Sequence, residues 1–145
     1  MPWLIATALL HSIRILEKRL IFINWCILLS ILGFSFSLLG TFIVRSGLLT
    51  SVHSFASDPS RGVFILIILI ISIGGPLTLY ALKSSLFKEQ KVQFNLLSKE
   101  SALLINNLFF TTATATVLIG TLYPLFLDAL SGAKISIGPA YYNAT

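Results

Sequence analysis

Between Arg19 and Arg45 the chain runs for 25 residues, 20–44, without one charged side chain. At about 1.5 Å of rise per residue such a run reaches roughly 37 Å as a helix, enough to cross a hydrocarbon layer of about 30 Å. Two further charge-free runs follow, 62–82 between Arg61 and Lys83, and 101–127 between Glu100 and Asp128. A lone strand in lipid leaves its backbone groups unpaired, so all three runs predict helices. Composition points the same way. Charged residues make up 10% of the chain and the mean hydropathy is +0.93, whereas about a quarter of a soluble domain is charged. Fifteen charges cannot cover the surface of a water-soluble fold of this length.

The N-terminal stretch 1–13 is apolar but reaches only about 20 Å as a helix, too short to span. It fits a secretory signal poorly, since no basic residue precedes it and no small-residue cleavage site follows it. The expected fold class is an all-α integral membrane protein. It is a helical bundle segment with complete spans at 20–44, 62–82 and 101–127 and a truncated helix at 1–13. Segments 45–61 and 128–145 are the outer loops.

Basic residues set the expected orientation. Arg14, Lys18, Arg19, Lys83, Lys88, Lys91 and Lys99 fall on one side of the three spans, and Arg45, Arg61 and Lys134 on the other. The richer set is assigned to the cytoplasmic side. The net charge of +5 is thus mainly an orientation signal. No basic, aromatic-interleaved soluble module is present, which argues against a nucleic-acid partner.

Within the spans, Cys26, Ser30, Gly33, Ser37 and Gly40 form a small-residue stripe suited to close helix packing. Gly74-Gly75-Pro76 is expected to bend the second span, because proline removes a backbone bond. Asn106, Asn107, Thr111, Thr112, Thr114 and Thr116 form a polar band in the third, read as interhelical hydrogen bonding rather than a ligand site. Cys26 is the only cysteine, so no internal disulfide or Cys-x-x-Cys site exists. It reads as a small hydrophobe.

Two histidines carry the plausible cofactor chemistry. His11 lies near the cytoplasmic end of the N-terminal run, and His53 lies in the outer segment. An ionisable residue within a membrane helix is a functional-site candidate, and neutral imidazole is the usual axial ligand of haem iron. The two belong to opposite faces, so they cannot share one ion, and each needs a partner from elsewhere. A solvated outer-loop histidine is the plainer reading of His53. Around it Leu48, Leu49, Val52, Phe55 and Ala56 follow a helical spacing, which predicts a short interfacial helix. Asp58 and Pro59 then supply the cap and first turn of the next span.

Several stretches of the chain are distinctive: Met1-Pro-Trp-Leu4, Thr7-Ala-Leu-Leu-His-Ser12 and Gly120-Thr-Leu-Tyr-Pro124, with Lys134-Ile-Ser-Ile-Gly-Pro139 in the last outer segment. The longest is Leu38-Leu-Gly-Thr-Phe-Ile-Val-Arg-Ser-Gly-Leu-Leu-Thr-Ser-Val-His-Ser-Phe-Ala-Ser-Asp-Pro-Ser-Arg-Gly62. Together they resemble the CcmF family of cytochrome c maturation proteins.

This resemblance implies part of a haem lyase, which joins haem vinyl groups to the Cys-x-x-Cys-His thiols of apocytochrome c. It implies that His11 is one axial ligand of a membrane haem b, thought to reduce the incoming haem iron. His53 would be one outer-face ligand of the haem delivered by the chaperone CcmE. The implied partners are the remaining CcmF segments, a CcmH-type subunit, CcmE and apocytochrome c. The implied location is the bacterial inner membrane or the mitochondrial inner membrane. The family's tryptophan-rich outer segment and the opposite ligand of each pair are not within these residues, so no complete active site is expected. The chain is therefore expected to be an internal fragment. Two other readings compete with a lyase segment. One is a transporter or channel element, which the polar band and the Gly-Gly-Pro break favour. The other is a structural subunit or non-functional remnant with both histidines as bystanders.

Overall fold

A computed structural model of the chain describes residues 1–19, 21–46, 59–86, 98–131 and 137–144. These are helical almost throughout: α1 (Pro2–Arg19), α2 (Ile23–Arg45), α3 (Pro59–Lys83), α4 (Lys99–Ser131) and α5 (Pro139–Ala144). A single 3₁₀ turn, Ser84–Leu86, follows α3. Three of the helices, α2, α3 and α4, are long and apolar enough to cross a membrane. The chain is thus an all-helical integral membrane segment, as its charge-free runs imply.

Helices α3 and α4 are longer than the runs that announce them, 62–82 and 101–127, because charges mark the border of the lipid and not the end of the helix. The clearest case is α1, expected to stop at residue 13. It continues to Arg19 with Arg14 and Glu17 exposed and 3.9 Å apart across its last turns. Its start at Pro2 uses a residue whose missing N–H costs no helical bond, and α3 starts the same way at Pro59. At the start of α4, Ser98 caps the helix: its hydroxyl accepts the N–H of Ser101 at 3.1 Å. Despite Gly74-Gly75-Pro76, α3 runs uninterrupted. There the Thr78 hydroxyl donates back to the Gly74 and Gly75 carbonyls, each at 2.8 Å.

The inner helices of the bundle are α1 and α2: α1 packs against α2 and α4, and α2 packs against α1 and α3. Ile5, Ala8, Ser12 and Ile15 recur at spacings of three, four and three, so they form one stripe, and all are buried. Ile5 and Ala8 close with Leu29 into a small core, against which Leu9, Phe36 and Phe110 pack. Between α1 and α2 the chain turns at Phe22, which adopts the left-handed conformation at φ 65°. For a residue with a Cβ that conformation costs about 1–2 kcal/mol, and here it reverses the chain within three residues.

Glycines allow two close approaches. A side chain at Gly62 would meet the Ser46 Cα at 3.3 Å, so the end of α2 and the start of α3 nearly touch. At Gly120 the absent side chain makes room for Tyr142, and Tyr141 donates from its hydroxyl to the Thr116 carbonyl at 3.2 Å. In this way α5 folds back onto α4.

The small-residue stripe is used only in part. Cys26 is buried and Gly33 faces Ile5, but Ser30 and Ser37 are exposed and Gly40 has nothing against it. The antiparallel helices gather Arg14, Lys18, Lys83 and Lys99 at one end of the bundle and Arg45 and Arg61 at the other.

Candidate functional site

His11 sits one turn from the basic end of the bundle, half-buried on the flank of the α1 stripe. That stripe turns Ser12 directly into the α1–α4 seam, where it is fully buried. Consecutive residues on a helix are about 100° apart, so His11 points toward the edge of the same seam. Two adjacent residues of α4 meet these two. The side-chain amide of Asn106 lies 2.9 Å from His11 Nδ1. The Asn107 amide donates to the Ser12 hydroxyl at 2.7 Å. Ser12 in turn donates to the Ala8 carbonyl at 2.9 Å, so its hydroxyl is satisfied in both directions.

Phe110, one turn further along α4, closes the near side of the imidazole. Its ring centre is 5.9 Å from that of His11, with the planes 40° apart. The site is therefore a lone imidazole with one ring nitrogen engaged by an amide and an aromatic ring beside it.

Three threonines of the polar band behave differently from the expectation of interhelical bonding. Thr111, Thr112 and Thr114 each donate to carbonyls of their own helix, at 2.8–2.9 Å. A threonine bonded to the preceding turn presents its methyl group outward and needs no partner on another helix. Only the two asparagines bridge to α1. Asn107 Oδ1 is buried without a partner among the described residues, beside an apolar recess of about 230 Å³ lined also by Phe22, Trp25, Leu104 and Leu108.

Among the described residues no three His, Cys, Asp or Glu side chains stand close enough to hold an ion. A single imidazole in apolar surroundings suits a different kind of metal group. In haem the porphyrin supplies four ligands, and the protein needs to add only the axial ones. The donor chemistry at His11 therefore fits one face of a haem. Cys26 is buried and in no disulfide.

His53 lies outside the described residues, as do the expected interfacial helix around it and the Asp58 cap. Lys88, Lys91 and Lys134 of the charge pattern lie outside them as well. Of the two sequence-derived ligands, only His11 is therefore given surroundings. Sequence reasoning found the polar band but missed that Asn106 faces His11. The one available signal was a pair of adjacent asparagines in an otherwise apolar span.

Comparisons with known proteins complete the site. The chain is 60% identical over 144 residues to the cytochrome c-type biogenesis protein CcmF of Pseudomonas aeruginosa, covering 99% of the chain and 22% of that protein. It is 59% identical over 145 residues to the cytochrome c-type biogenesis protein CycK of Rhizobium meliloti, covering all of the chain and 21% of that protein. Against CcmF of Escherichia coli the identity is 49% over 143 residues, covering 99% of the chain and 22% of that protein. The chain spans about a fifth of the length of the curated relatives it matches. No protein-family model matches it, and no solved structure does.

Proposed function

The chain belongs over its whole length to the family of CcmF-type cytochrome c biogenesis proteins, and from that premise we propose that it is one membrane segment of a haem lyase in cytochrome c maturation. The single observation that carries the reading is His11, an imidazole held by Asn106 at the edge of the α1–α4 seam. When bound, haem b would supply a one-electron couple at this level of the bundle. This chain would hold the haem through His11, with Asn106 fixing the imidazole and Phe110 beside it.

The basic end that carries Arg14, Lys18, Lys83 and Lys99 supports a cytoplasmic assignment for that end. His11 then lies in the inner half of the membrane, and His53 lies on the outer face as a ligand of haem delivered by CcmE. The second axial ligand of each pair comes from the remaining CcmF segments. A CcmH-type subunit presents the apocytochrome c thiols, and the membrane is the bacterial inner membrane or its mitochondrial counterpart. The threonines bonded to their own helix weaken the reading of the polar band as a transport path.

Co-expression of this chain with the complementary CcmF segments tests the proposal. The purified assembly should show a six-coordinate b-type haem spectrum. His11→Ala should abolish that spectrum, while His53→Ala should spare it and reduce the haem captured on the outer face. A b-type spectrum that survives His11→Ala would overturn the ligand assignment.

A further inference from the structure

We propose that Asn106 is the positioning residue for His11: its side-chain oxygen accepts the Nδ1–H, which leaves the Nε2 lone pair to face the haem iron. The inference rests on the reading of His11 as a haem ligand.

It begins from the 2.9 Å separation between Asn106 Nδ2 and His11 Nδ1, so the arrangement proposed is the one with the amide half-turned. A neutral imidazole has one N–H and one lone pair, on different nitrogens. With the amide nitrogen of Asn106 turned to Nδ1, the proton must sit on Nε2, and that atom has no lone pair for a metal. With the amide oxygen turned to Nδ1, the proton sits on Nδ1 and Nε2 is ready to bind. An amide group exchanges these two arrangements by a half-turn about its terminal bond, within the same envelope. Nδ1 itself is closed to iron, because Asn106 occupies the space in front of it. Only one of the two arrangements therefore permits coordination.

The neighbouring contact keeps the pair in register. Asn107 is bonded to Ser12, both are buried, and Ser12 is tied to its own helix through Ala8. Asn106 and His11 each precede one member of that bonded pair, so α4 cannot slide along α1 without breaking the buried bond. Phe110 limits rotation of the imidazole from the other side. Partners hydrogen-bonded to a metal-ligating imidazole orient the ring and raise its basicity, and their loss typically costs about 10–100-fold in affinity.

The same co-expressed, haem-loaded assembly provides the test, read by potentiometric titration, low-temperature electron paramagnetic resonance and haem retention on dilution. N106A removes the acceptor without adding bulk. It should weaken haem retention about 10–100-fold, raise the midpoint potential and shift the low-spin signal. N106D keeps the shape and supplies a stronger acceptor, so it should retain haem and lower the potential below that of the parent. Opposite shifts in the two variants support the inference, since a merely structural role would not separate them. Parent-like potential, signal and retention in N106A would overturn it. Should N106A fail to assemble, a parent-like potential in N106D would overturn it instead. H11A in parallel keeps the two claims apart. If H11A retains the b-type spectrum, the ligand reading itself fails. If H11A loses it while N106A is unchanged, only the role of Asn106 is wrong.

Discussion

Helices α1 and α3 divide the work of this chain in opposite ways. α3 has no charge between Arg61 and Lys83, yet its Phe64, Ile70 and Ile71 are all more than 60% exposed. α1 carries four charges in its last six residues, yet Ile5, Ala8, Ser12 and Ile15 are 4% exposed or less. In a soluble domain the most apolar helix is the most deeply buried. Here hydropathy reports contact with lipid, and protein contact is reported by a narrow stripe that includes a serine. The difference teaches where polar groups are useful in such a bundle. Lipid and leucine are equally apolar, so association depends on packing and on hydrogen bonds. Both of these converge on α1.

Four tests would break or sharpen that contrast, each followed by detergent-driven unfolding in mixed micelles with tryptophan fluorescence as the signal. Ile5→Ala empties the small core beneath α1 and should cost about 2–3 kcal/mol, the low end of the range for large-to-small changes. A cost near zero would mean that α1 is not an inner helix of the bundle. Gly62→Val drives a branched side chain toward the Ser46 backbone and should cost about 1–2 kcal/mol, within the range for overpacking. At this point α3 contributes through close approach, so Gly62→Ala should cost less than Gly62→Val. Asn107→Leu removes the bond to Ser12 but also the unpartnered Oδ1, so the net loss should stay below about 1 kcal/mol. A double-mutant cycle with Ser12→Ala should give a coupling of about 0.6 kcal/mol, and zero coupling would remove the polar tie between α1 and α4. Finally, Ile70→Ala on the exposed face of α3 should change stability by less than about 0.5 kcal/mol. A large loss there would place that face against protein.

The three spans were legible because a charge cannot be placed cheaply inside lipid, and charge-free, mostly apolar runs of 20 or more residues leave few alternatives. The extent of α1 was not legible. Arg14, Lys18 and Arg19 mark where lipid ends, and the backbone continues to hydrogen-bond beyond that point in water. His11 stood out as a candidate for the same reason that the spans did, as an ionisable group in an apolar run. Its partner did not, since Asn106 is 95 residues away and nothing local links them. The polar band was visible but its chemistry was not. A threonine that bonds its own helix and one that bonds a neighbour look identical in sequence, and they differ by a single side-chain rotamer.

The interval of 95 residues between His11 and Asn106 also has a meaning in time. Chains are synthesised at roughly 5–20 residues per second, so α4 reaches the membrane about 5–19 s after α1. Within this chain, the contact of Ile5 and Ala8 with Leu29 and the return of Ser12 to the Ala8 carbonyl need nothing from α4, so both can form during that interval. The imidazole therefore waits without its amide neighbour while α2, α3 and the start of α4 are made. A haem offered during those seconds would meet an unoriented ring. On the proposed role of Asn106, an oriented ring would be a property of the joined α1–α4 seam, present only after α4 has been made.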